Sequence, residues 1–166
     1  MASVPYDASE WTDFFVAAAG ASAALAGLVF VAVSINVDRI LRYPGLPERA
    51  LATVMLLLSV VLISLVGLLP GQSRAALAGE LLGVGMVFAV LILGLTIRSM
   101  PGRDSQPVHR FANWLLVGLG TVPVVLGALS LFAEAGGGLY WVAAGIVLAT
   151  TGGVANAWVL LVEILR

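Results

Sequence analysis

The sequence predicts an all-α, polytopic membrane protein: a bundle of five transmembrane helices with the N-terminus outside and the C-terminus in the cytoplasm. Three observations carry this. Of 166 residues, 61% are hydrophobic and only 10% charged, whereas a soluble domain carries about 25% charged residues. The apolar residues fall in runs at 14–35, 50–69, 81–97, 111–132 and 139–162, each near the roughly 20 residues that cross a bilayer as a helix. The arginines are segregated: Arg39, Arg42, Arg49, Arg98, Arg103, Arg110 and Arg166 fall on one side of the expected spans and only Arg74 on the other. Basic residues in short loops mark the cytoplasmic face. Little chain lies between the runs, so residues 1–166 are expected to form a single integral membrane domain. Its expected helices lie at about 8–42, 48–69, 75–97, 108–132 and 139–163.

The first helix should begin near Ala8, because Asp7 and Glu10 have the spacing of a capping box. Trp11, Phe14 and Phe15 follow where the chain enters lipid. The residues before it include Asp7 and Glu10 and no base, unlike the basic start of a signal peptide, so this run is expected to persist in the mature protein. Pro44 disfavours helical geometry at Tyr43. A helix over 8–42 would be on the order of 50 Å long, longer than a hydrocarbon core of about 30 Å, so it should tilt or project past the membrane, with 36–42 on its projecting end.

Helix two starts after Pro47, which suits a first helical position. It ends at "PGQS", residues 70–73. Helix three stops near Arg98, before the polar stretch "SMPGRDSQP". Helix four starts near Pro107 and contains Pro123, which cannot donate to the carbonyl of Leu119 and predicts a kink. Helix five follows "AEAGGG" and carries "TTGG" near its middle. Gly152 and Gly153 there admit two readings, a broken helix with free carbonyls or a close-packed glycine pair.

Cysteine is absent, which excludes disulfides, thiolate metal sites and thiol catalysis. No HExxH motif is present, which argues against a zinc protease. His109 is the only histidine and lies in a loop. No acid or base falls in the middle of a span; such residues mark proton relays and substrate paths, so a proton-coupled transporter is disfavoured. The chain is expected to be no enzyme and to need no cofactor or metal. A net charge of −1 gives no case for nucleic acid or anionic lipid as a general partner.

Two features of helix one remain. In "AAAGASAALAG", Ala19, Ala23 and Gly27 recur every fourth residue, as do Gly20 and Ala24. Small residues at this spacing let helix backbones approach closely in lipid. The segment is small on nearly every side, so the helix is expected to be central. Its contacts belong either inside one bundle or to self-association or a pore lining. Below it, Ser34, Asn36, Asp38, Arg39 and Arg42 form a polar cluster. Ser34, Asp38 and Arg42 are four apart, on one helical face. The cluster reads either as a positive-inside boundary with a surface ion pair or as a polar ring at the mouth of an assembly. Asn36, Asn113 and Asn156 are a candidate inner-leaflet group of amides.

The stretch "AAAGASAALAGLVFVAVSINVDRIL" resembles the first helix of small five-helix actinobacterial membrane proteins labelled as modulators of the FtsH protease. That resemblance implies a multi-pass protein of the bacterial inner (plasma) membrane. It implies no catalytic or binding residue.

Two functions are therefore expected. The first is a homo-oligomeric channel or pore-like protein with helix one near the pathway. The alternative is a non-enzymatic regulatory or accessory protein that binds another membrane protein, such as a membrane protease.

Overall fold

The computed structural model describes the backbone of residues 4–99 and 107–165, with side chains for 4–99, 118 and 120–162. The described chain is helical, with no strand. Two short 3-10 turns, Val4–Tyr6 and Ala8–Trp11, lead into α1 (Thr12–Ile35) and α2 (Val37–Ile40). Four long helices follow: α3 (Leu46–Gly67), α4 (Arg74–Arg98), α5 (Pro107–Ala133) and α6 (Leu139–Leu165). Four helical stretches are long and apolar enough to cross a membrane: Ala8–Ile35, Leu46–Gly67, Arg74–Arg98 and Leu139–Val162. The described apolar part of α5 is the shorter Gly120–Ala133.

Helices α3, α4, α5 and α6 close a four-helix bundle, each packed on the next and α6 back on α3. Short connections make successive helices antiparallel neighbours. Helix α1 lies outside this ring, mainly on α3 and with slight contact to α6. This corrects the expectation that the first helix is central. Half of the α3 span is buried but only 11% of the α1 span. The hub is α3, rich in Leu and Val, and Leu57 and Val60 on it are almost fully enclosed.

The first helix is also not one rod over 8–42. Asp7 caps the 3-10 turn rather than an α-helix, and the α-helix starts only at Thr12. At the other end, helical geometry lapses at Asn36, with φ −106° and ψ 15°. The Asn36 amide donates to the Ala32 carbonyl at 2.9 Å, and a short polar side chain that bonds locally to backbone competes with helix continuation. α2 then supplies one further turn, and Ile40 seats against Leu46, Ala50 and Leu160 in a small separate core.

The start of α1 is firmly anchored. Phe15 is fully enclosed and lies over Gly67, where an added Cβ would come within 2.6 Å of its ring. Trp11 meets Tyr140 edge-to-face with centroids 4.8 Å apart. Gly138 at the start of α6 has φ +49°, and a Cβ there would strike the Pro5 carbonyl, so the N-terminal segment docks directly on the α5–α6 connection.

Candidate functional site

In lipid, helices are joined by close packing and by hydrogen bonds, not by hydrophobicity. Glycines show where backbones approach. At Gly127 a Cβ would lie 2.6 Å from Val142 Cγ2 and 3.0 Å from its backbone nitrogen. At Gly145 one would lie 2.7 Å from Val124 Cγ2, and at Gly120 2.7 Å from Leu56 Cδ1. Gly120 thus brings α5 against α3, and Gly127 and Gly145 make a tight α5–α6 seam. Pro123 is buried in it, 3.4 Å from the Cβ position of Gly145, and α5 continues helically through it.

Helix α6 is likewise unbroken through Gly152 and Gly153. Gly153 instead admits Leu57 of α3, whose Cδ2 would be 2.8 Å from an added Cβ. Thr150 and Thr151 return their hydroxyls to the carbonyls of Ile146 and Val147, both at 2.8 Å. The carbonyls around "TTGG" thus belong to a continuous helix.

The small residues of α1 behave differently. Ala19 is partly covered, while Gly20, Ala23, Ala24 and Gly27 are exposed. A Cβ added at Gly20 or Gly27 would meet nothing within 4 Å. The face of α1 that does pack carries Phe15, Ser22, Val29 and Asn36 at seven-residue spacing, with Ala18 and Leu25 between. Close packing of the α1 glycines within the chain is overturned by this geometry. The residue pattern is one for backbone approach, and its face is open.

Polar groups join helices at two depths. Ser22, 1% exposed, lies with its hydroxyl 3.3 Å from that of Thr150, joining α1 to α6. Nearer the Arg42 end, the Asn156 amide donates to Thr53 Oγ1 at 2.5 Å, and Arg49 Nη2 donates to the Asn156 carbonyl oxygen at 3.5 Å. Thr53 in turn donates to the Arg49 carbonyl at 2.9 Å. Asn156 therefore serves the α3–α6 joint and not a group of amides with Asn36, which bonds to its own helix. Arg49 in this joint was not legible, because its sequence position marks only a loop charge.

The polar cluster at the end of α1 is laid out as follows. Ser34 is exposed and returns its hydroxyl to the Phe30 carbonyl at 2.8 Å. Asp38, Arg39 and Arg42 are exposed, and Asn36 is partly covered. Arg42 falls in the turn beyond α2, and the lapse at Asn36 separates Ser34 from Asp38, so these three do not share one helical face. His109, Asn113, Arg103, Arg110, Glu163 and Arg166 lie outside the described residues or their side chains.

At the opposite end, Arg74 Nη1 pairs with Glu134 at 2.5 Å and Arg74 Nε donates to the Tyr6 carbonyl at 3.4 Å. Gln72 donates to the Glu80 carboxylate. A cleft of about 460 Å³ lies between the N-terminal turns and the α3–α4 connection, with Asp7, Gln72 and Arg74 on its walls. The Asp7 carboxyl is held below its ordinary value of 3.8 by the Ser9 hydroxyl and then the Ser9 backbone N–H, with a smaller contribution from Arg74. The Arg74–Tyr6 bond fastens the N-terminal segment to α4.

No protein-family model matches the chain, and no curated protein or solved structure matches it.

Proposed function

We propose that the chain is a non-enzymatic protein of the bacterial inner membrane that works by association, with the open face of α1 seated on a transmembrane helix of another subunit. The single observation that carries this is the exposure of α1, only 11% buried against half of α3; its Gly20 and Gly27, like Gly83 and Gly94 of α4 and Gly118 of α5, face nothing within 4 Å, whereas Gly120, Gly127, Gly145 and Gly153 are filled by neighbours. In this reading the arginine-rich end is cytoplasmic, α5 also crosses to make five spans in all, and the N-terminus is outside.

Two forms of association follow. In the accessory form, α1 docks on another membrane protein, for which the resemblance of its sequence suggests a membrane protease. This form is favoured because Ser22, the one polar side chain in α1 between Phe14 and Val33, is turned inward to Thr150, leaving the open face apolar. In the channel form, copies of α1 surround a common axis. It is favoured by the exposed Ser34, Asp38, Arg39 and Arg42 at one end, which repetition would turn into a polar ring. Purified protein in liposomes separates them: ion flux supports the channel, and an assembled, folded protein without flux supports the accessory form.

A further inference from the structure

The connection between α5 and α6 has positive φ at Glu134, Gly136, Gly137 and Gly138, of 52°, 89°, 108° and 49°. Glu134 is the one residue other than glycine with positive φ among the described residues. It ends α5 where the Ala135 N–H bonds back to the Ser130 carbonyl at 3.3 Å, a position that glycine usually takes. In left-handed geometry Cβ crowds the following carbonyl, and glutamate lacks the short polar side chain by which asparagine compensates. A residue so placed persists where its surroundings over-determine it. Here the Glu134 carboxylate is paired with Arg74 Nη1 at 2.5 Å.

Arg74 also clasps the N-terminal turns. Its Nε donates to the Tyr6 carbonyl at 3.4 Å, and its guanidinium lies 6.0 Å from the Tyr6 ring centroid. One side chain at the start of α4 thus joins the end of α5 to Tyr6. Tyr6 reaches the α5–α6 connection itself, where its hydroxyl accepts from the Gly137 N–H at 3.2 Å. Residues 4–11 therefore form a strap across this end of the bundle, closed on itself by the Trp11 indole, which donates to the Val4 carbonyl at 2.8 Å. Tyr6, Asp7, Ala8 and Ser9 are a wall of the cleft of about 460 Å³, so a strap that lifts widens that cleft.

We propose that Arg74 and Glu134 are a salt-sensitive latch: their ion pair aims the Arg74 guanidinium at Tyr6 and holds the strap down, and screening of the pair releases it. The pair is open to solvent, with the Glu134 side chain 67% exposed and that of Arg74 32%, and salt weakens exposed pairs. Salt screening leaves the packing of Tyr6 and Trp11 on the core intact, so a loss of docking with salt isolates the ion pair. The latch does not depend on the association proposed for α1.

The test is amide hydrogen exchange of residues 4–11, read by mass spectrometry on the full chain in lipid nanodiscs. Helical turns this short do not persist alone, so their exchange reports whether the strap is docked. Raising salt from about 0.01 M to about 1 M shortens the Debye length from about 30 Å to about 3 Å. It should speed wild-type exchange by about two- to fivefold, the range of an exposed ion pair. Glu134→Gln should exchange at low salt as fast as wild type does at high salt, and should lose the salt response. Glu134→Gly removes the carboxylate but suits the left-handed backbone; it should loosen the strap equally without lowering the melting temperature. Wild-type exchange indifferent to salt, or a salt response kept in Glu134→Gln, would overturn the latch. So would wild-type exchange at 4–11 in Glu134→Gly together with a lowered melting temperature, which would assign Glu134 to the stability of its own turn.

Discussion

The Asn156 amide donates to Thr53 Oγ1 at 2.5 Å, bonding α6 to α3 at the point where Arg49 also reaches the Asn156 carbonyl oxygen. Interhelical hydrogen bonds in membranes average about 0.6 kcal/mol and reach about 1.7. The Thr53–Asn156 bond is expected above that average, because Thr53 is 1% exposed. A double-mutant cycle of Thr53→Val and Asn156→Leu, read by reversible unfolding in mixed micelles, should give a coupling of about 1 kcal/mol. Additive effects would mean that the two side chains do not act as a pair.

The α5–α6 seam should be intolerant of bulk. Gly127→Ala places a methyl 2.6 Å from Val142 and 3.2 Å from the Gly138 carbonyl, and backbone cannot swing aside as a flexible side chain can. Overpacking typically costs about 1–3 kcal/mol. A lowered melting temperature for Gly127→Ala in detergent is expected, and wild-type stability would contradict the seam.

The N-terminal turn should titrate abnormally. Asp7 loses proton affinity because its charged form accepts both Ser9 bonds. Its pKa is lower in the folded than in the unfolded chain, so these bonds stabilise the turn above the ordinary aspartate range near 3.8 and are lost as pH falls through the folded value. Carboxyl carbon shifts followed by NMR should place the Asp7 midpoint below that of a free aspartate, and Ser9→Ala should raise it. An unchanged midpoint in Ser9→Ala would remove the hydroxyl as the principal cause.

The orientation is open to direct chemistry, since the chain has no cysteine of its own. Cysteines placed at Gln72 and Ala135 should react with an impermeant thiol reagent in intact cells, and one at Ser105 should not. Labelling at Ser105 alone would invert the topology.

Much of the helical architecture was legible because transmembrane spans announce themselves by length and hydropathy. Which helix is the hub was not. Lipid and protein interior are equally apolar to Leu or Val, so hydrophobicity cannot say whether Leu57 faces α6 or an acyl chain. The small residues of α1 signalled close approach correctly in kind but carried no address, and Gly20 and Gly27 find no partner inside the chain. Gly120, Gly127 and Gly145, on other helices, do find one. The lapse at Asn36 lacked a proline or glycine to mark it; its cause is a side chain bonded back to Ala32. Arg49 resembled any loop arginine until α6 brought Asn156 beside it.

The central claim is that α1 presents an association surface, and Gly27→Leu tests it most directly. A Cβ there meets nothing within 4 Å in the chain, so protomer stability should be unaltered, while a helix seated on that face would be pushed away. Membranes holding wild-type or variant chain would be solubilised in mild detergent and the complexes sized by native electrophoresis, with thermal unfolding followed in parallel. The account predicts a wild-type complex larger than one protomer that Gly27→Leu dissociates at unchanged melting temperature. A wild-type chain that runs as a lone protomer, or a complex that keeps its size in the variant, would contradict it.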